Sequence, residues 1–253
     1  MEFVAPQTLQ HWLLALLING LLIAAASRVP LLTRSGWAHA AALGTILWGT
    51  LGPQGWLAVV AYLLLGSLVT RLGFARKREQ GLAEARGGQR GPENVWGSAA
   101  TGAVLALLIP VLAPTARPVL LVGFVASFAA KLADTFGSEI GKRWGRHTVL
   151  ITSLRPVPAG TEGAVSVEGT AASLVGALLM TCIGAGLGLV VPPRLSLLAM
   201  LTGVALVATL IESLIGATLQ RRWLWLSNEW VNALQTAIAA LLAMGLMLSP
   251  VAS

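Results

Sequence analysis

Apolar runs, broken by short polar stretches, fill most of the chain. Eight stand out, at residues 9–26, 37–51, 55–73, 95–112, 118–141, 167–190, 196–219 and 231–249. Most approach the ~20 residues a helix needs to cross a bilayer. Lipid offers the backbone no hydrogen-bond partner, so each run is expected to be helical. The pattern predicts an all-α, polytopic transmembrane bundle of about eight spans, one domain over residues 1–253. The second run is short, and Leu-Gly-Pro-Gln-Gly follows at 51–55, so it is also a candidate re-entrant segment.

Composition agrees. Of 253 residues, 56% are hydrophobic and 11% charged, where a soluble domain carries about 25% charged residues. The net charge of +7 does not point to nucleic acid, because the basic residues lie in loops between apolar runs. Cys182 is the single cysteine, which excludes a disulfide within the chain. With eight spans, one set of loops carries 14 Lys and Arg and the opposite set only Arg117 and Arg194. The positive-inside rule then places the basic loops in the cytoplasm and both termini on the other side. Two of those loops, about 74–94 and 142–166, are long and rich in Gly and Pro, and long loops in compact proteins are often functional.

Polar residues concentrate at the same end of five runs. At 100° per residue, Ser127, Lys131, Asp134, Ser138 and Gly141 share one face of the fifth. Glu139 points about 140° from Asp134. Gly137, Gly141 and Gly145 recur every four residues, a spacing that allows close helix approach. Asn94, Ser98 and Thr101 open the fourth run, and Ser166, Thr170 and Ser173 the sixth. Thr209, Glu212 and Gly216 close the seventh, while Asn228, Asn232 and Gln235 open the eighth. Together these stripes predict one polar pocket facing the cytoplasm. Carboxylates at membrane depth are costly and usually functional. The competing reading is a structural ion pair, since Lys131 and Asp134 are spaced i, i+3.

The loops supply positive charge. Arg86 and Arg90 flank Gly87 and Gly88 just before the fourth run. Glycine lets backbone amides approach an anion, and arginine offers a planar fork to phosphate oxygens. Gly160, Thr161, Glu162 and Gly163 precede the sixth run, where a helix N-terminus favours an anion. Neither loop matches a Walker A motif. Arg76, Lys77 and Arg78 read as anchors to anionic lipid. Carboxylates beside a basic, Gly-rich rim are what metal-assisted phosphoryl transfer requires. His11, His39 and His147 show no zinc-ligand spacing. Trp223, Trp225 and Trp230 read as interfacial belt residues.

Five stretches extend this reading. "GLAEARGGQRGPENVWGSAA", "DTFGSEIG", "PVPAGTEGAVSVEGT", "ESLIGATLQ" and "NEWVN" resemble, in order, the signature blocks of an integral-membrane family long catalogued as a domain of unknown function. Its plant plastid members are phytyl-phosphate kinases, and it is similar to phytol and dolichol kinases and more distantly to CDP-lipid synthases. The resemblance implies conversion of phytyl phosphate, or a related prenyl phosphate, to the diphosphate for tocopherol and phylloquinone synthesis. It implies Mg²⁺ and a nucleoside triphosphate, with CTP favoured. Asp134, Thr135, Ser138, Glu139 and Gly141 match the family's acidic block. Glu162 and Glu212 stand where the family often has Asp.

On this basis Asp134, Glu139 and Glu212 are the candidate metal ligands and, with Lys131, the catalytic set. Arg86, Gly87, Gly88, Arg90, Asn94, Ser138, Lys142, Gly160, Thr161, Glu162, Gly163, Asn228 and Asn232 are candidates for binding substrate and nucleotide. A homodimer is left open. Two rival functions remain: a CTP-dependent cytidylyltransferase, and a transporter with Lys131 and Asp134 as its coupling pair. The setting is a bacterial plasma or thylakoid membrane, with the site facing cytoplasm or stroma.

Overall fold

The computed structural model describes residues 9–223 and 225–249. In chain order its helices are α1 (Leu9–Ala26), α2 (Arg34–Arg71), α3 (Phe74–Glu79), α4 (Pro92–Leu108), α5 (Arg117–Trp144), α6 (Val167–Gly186), α7 (Leu195–Ile215) and α8 (Asn228–Leu248). A short antiparallel pair, β1 (Val149–Leu150) with β2 (Ala164–Val165), pins the loop between α5 and α6. The all-α bundle is as expected. Among the described residues, six helices are long and apolar enough to cross a membrane: α1, α2, α5, α6, α7 and α8. The expected run 95–112 is shifted, because Pro92, pre-set for a first helical turn, starts α4 and the helix ends at Leu108. The run 167–190 stops at Gly186, and the chain turns at Gly188 (φ 71°).

Helix α2 is a hairpin rather than a rod. Its 38 residues, if straight, would span about 57 Å. Yet Arg71 at its end donates to the carbonyl of Pro30, just before its start, at 2.7 Å. Trp48 and Trp56 also meet edge-on, 5.6 Å between centroids. The chain reverses at Gly52 (φ 69°, ψ −162°), immediately before Pro53. The two arms correspond to the runs 37–51 and 55–73 read from the sequence. The Gly52 conformation is essentially restricted to glycine. Gly52→Ala is therefore expected to lower stability by about 1–3 kcal/mol, read as a lower Tm in detergent. Gly20→Ala, where an added Cβ meets nothing within 4 Å, is the matched control and should not lower it.

Helix α5 is the axis of the bundle. Every residue from Leu120 to Ala133 is buried, and α2, α4, α6, α7 and α8 all pack on it. The closest approach is to α6. A Cβ on Gly169 would lie 2.9 Å from the Gly137 carbonyl oxygen, and one on Gly176 would lie 2.8 Å from that of Leu132. Small residues thus let two backbones touch, the usual device for joining helices in lipid. Leu13, Leu14, Leu17 and Leu21 of α1 point outward and form part of the apolar exterior.

Candidate active site

The polar ends of α4 to α8, with the loops preceding α4 and α6, enclose a cavity of about 530 Å³. Lys131, Asp134, Ser138, Glu139 and Lys142 reach it from α5, and Glu212 from α7. Asn94 comes from α4, and Asn228 and Asn232 from α8. Arg86, Gly88 and Arg90 line it from one loop, and Gly160, Thr161, Glu162 and Gly163 from the other. Of the candidate catalytic, metal and binding residues, only Gly87 is absent from its walls.

The membrane-depth charges form a defined cluster. The buried ammonium of Lys131 donates to Asp134 Oδ2 at 2.5 Å and to Asn232 Oδ1 at 2.9 Å. The i, i+3 pair foreseen from spacing is therefore formed, at the cavity wall. Glu212 is buried on α7, within electrostatic reach of Asp134 and Lys131. Its only described hydrogen bond is a long one, 3.5 Å, from Ser213 Oγ.

The loop arginines are held differently from one another. Arg90 donates from Nη1 to the Tyr62 hydroxyl at 2.7 Å, and its guanidinium lies 5.1 Å from the Tyr62 ring centroid. The backbone around Arg90 pairs with the strand of chain before α2: Arg90 N–H donates to Leu31 O at 3.1 Å, and Thr33 N–H to Arg90 O at 3.0 Å. Arg86 sits in a left-handed conformation (φ 54°), followed by Gly87 and Gly88 with positive φ. It donates to Glu93 and to Asn94 Oδ1, the latter at 2.9 Å. Asn94 also accepts from the Gly91 amide at 2.9 Å, which caps α4.

Two expectations need correction. Among the described residues, no three His, Cys, Asp or Glu side chains gather as a metal-holding group. Asp134, Glu139 and Glu212 are thus not one ligand trio. The 140° separation along α5 turns Glu139 toward two lysines instead. One carboxylate oxygen accepts from Lys77 and the other from Lys142 at 3.2 Å. Second, Lys77 is not a lipid anchor. It is fully buried, and its ammonium donates to the Thr70 carbonyl at 2.8 Å as well as to Glu139. Arg76 and Arg78, either side of it, are exposed as expected.

Sequence reasoning also missed Tyr62, Glu84 and Glu229 in the cavity wall. Glu84 pairs with Lys142 at 2.8 Å. Desolvation works to raise its carboxyl, but the charge and hydrogen bond of Lys142, with smaller help from Glu139 and Lys131, together hold it below the usual carboxylate range. Glu162 goes the other way. Desolvation by the cavity walls pushes it up, Asp134 and Glu84 add to that, and Lys142 only partly opposes it.

Not every polar stripe reaches the cavity. Thr101 bonds Thr236 at 2.8 Å. Gln235 donates to Ala130 O and Thr209 Oγ1, both at 3.1 Å. Ser127 donates to Phe124 O at 2.7 Å. Thr101 and Gln235 thus join helices and Ser127 bonds within α5, leaving the polar ends to face the cavity.

Fold and site define a polytopic integral membrane protein with a charged cavity at one end of its bundle. The chain belongs to the family described as "Integral membrane protein DUF92", which matches residues 17–240. It is 49% identical over 237 residues to "Uncharacterized membrane protein sll0875" of Synechocystis sp., covering 93% of this chain and 91% of that one. It is 39% identical over 216 residues to "Protein VTE6, chloroplastic" of Arabidopsis thaliana, covering 84% of this chain and 64% of the plant protein. A third relative, "Uncharacterized membrane protein MJ0933" of Methanocaldococcus jannaschii, is 27% identical over 242 residues, 96% of this chain and 97% of the relative. No solved structure matches the chain at a significant level.

Proposed function

We propose that the protein is a prenyl-phosphate kinase, transferring the γ-phosphoryl group of a nucleoside triphosphate, with CTP as donor, to phytyl phosphate or a related prenyl phosphate. The observation that carries this reading is the meeting, in one cavity, of Asp134, Glu212 and Lys131 with Arg86, Arg90 and two glycine-bearing loops. Likeness to the plant relative and to a family with phytyl-phosphate kinases supports it. The eight apolar runs and the 14 basic loop residues at the cavity's end favour eight crossings and a site open to cytoplasm or stroma.

Two carboxylates completed by substrate phosphate oxygens suit Mg²⁺, which is commonly bound in this way. Asp134 and Glu212 would hold it, and the ion would supply charge neutralisation between donor and acceptor phosphates. Lys131 would orient Asp134 and reduce the charge of the carboxylate pair. Arg90 would bind acceptor phosphate, and Arg86 with the 160–163 loop would bind the nucleotide. The acceptor is already an anion, so a strong general base is not required. Positioning and electrostatics carry such a reaction.

Losing an arginine bond to a charged group costs about 1.5–3 kcal/mol. Arg90→Gln is accordingly expected to raise KM for prenyl phosphate roughly 10- to 100-fold, with a smaller change in kcat, in steady-state assays. Product analysis tests the reaction class. With α-labelled CTP and prenyl phosphate, the kinase releases labelled CDP and an unlabelled lipid diphosphate. A labelled CDP-lipid would instead establish the cytidylyltransferase reading.

A further inference from the structure

A second cavity, of about 240 Å³, adjoins the first between α1, the two arms of α2 and α4. Its walls are aliphatic and aromatic, with Ile23, Leu43, Trp56, Leu63 and Val95 among them. Asn19 lies in this wall but its polar atoms are already satisfied. Its amide donates to Ala41 O at 2.6 Å and Thr45 Oγ1 at 3.2 Å, and its carbonyl accepts from the Trp56 indole at 2.8 Å. Leu22 and Leu64, also in the wall, are 41% and 52% exposed on the apolar exterior. The pocket therefore borders the lipid-facing surface.

The two cavities share four residues: Tyr62, Arg90, Asn94 and Ser98. Three form a bonded partition. Arg90 donates to the Tyr62 hydroxyl, and that hydroxyl donates to Ser98 Oγ at 3.0 Å. One side-chain layer thus separates an apolar slot from a charged chamber, with a guanidinium in the layer. An amphiphile with an anionic head and an apolar chain has this same division.

We propose that the apolar cavity seats the head-proximal part of the substrate's prenyl chain, entering from the bilayer between α1 and α2, with its phosphate at Arg90. This rests on the reading that the polar cavity binds a lipid phosphate, but not on the reaction performed there. At about 30 Å³ per water-sized unit, the cavity takes roughly eight heavy atoms. The first one or two isoprene units would fill it, leaving the remaining chain in lipid.

Photolabelling tests this without turnover. The probe is a C20 prenyl monophosphate carrying a diazirine in its second isoprene unit, with sites mapped by mass spectrometry on purified protein. The expected result is labelling within α1, α2 and α4 that excess unlabelled C20 prenyl monophosphate displaces. Ala40→Phe and Val59→Phe, half-buried wall positions on opposite arms of α2, should each cut it at least tenfold in monodisperse protein. Label concentrated on α6 or α7, label that excess probe does not displace (as bulk lipid occupancy would give), or label untouched by both substitutions would overturn the proposal. Absence of kinase turnover with this labelling intact would count against the reaction alone.

Discussion

Asp134→Asn is expected to reduce phosphoryl transfer by about a hundredfold or more, the scale at which loss of one preorganised electrostatic contact acts in an active site. Asparagine preserves the shape of the side chain and one acceptor for Lys131, which also keeps its bond to Asn232. Glu212 also stays within electrostatic reach of Lys131, so the fold should tolerate the change with only a modest fall in Tm. Glu212→Gln should act in the same direction. Steady-state kcat beside thermal unfolding in detergent separates the two roles of Asp134. If the Lys131–Asp134 pair is only structural, Tm falls and specific activity of the folded fraction does not.

Lys77→Met should destabilise the protein strongly without touching the carboxylates proposed to bind metal. Lys77 is fully buried against Glu139, which is 2% exposed. Removing one partner of a buried pair leaves the other charged and poorly solvated, at a cost of about 3–5 kcal/mol. Lys142 at 3.2 Å softens this loss but also serves Glu84. Adding Glu139→Gln removes the stranded charge, so the double variant should recover much of the stability. A double-mutant cycle on detergent-solubilised protein measures the coupling. Were Lys77 a surface lipid anchor, the single variant would sit within about 0.5 kcal/mol of the parent and the cycle would show no coupling.

The fold was legible because lipid restricts the choices. Apolar length and period gave the helices, and the Gly-Pro at 52–53 marked the turn that makes α2 a hairpin. The cavity was legible because its polar residues had to appear as interruptions of apolar runs. Asp134, Glu212, Asn94 and Asn232 were visible in this way. Lys77 was not, because Arg-Lys-Arg-Glu reads as a solvated run and only the folding of α3 against α5 buries its middle member. Tyr62, the only tyrosine, sits in an apolar arm where its ring hides its hydroxyl. Its meaning depends on Arg90, 28 residues away. Gln235 and Thr101 misled in the opposite sense, since hydrogen bonding between helices needs the same residue types as a polar pocket.

Transfer of a phosphoryl group to a lipid phosphate in this cavity can be followed by the label itself. The most direct measurement supplies purified protein with phytyl phosphate, Mg²⁺ and CTP labelled in its γ-phosphate. Label is expected in the lipid diphosphate, dependent on Asp134. Folded, monodisperse protein that leaves the label in CTP or free phosphate with every nucleotide and prenyl phosphate supplied would contradict it.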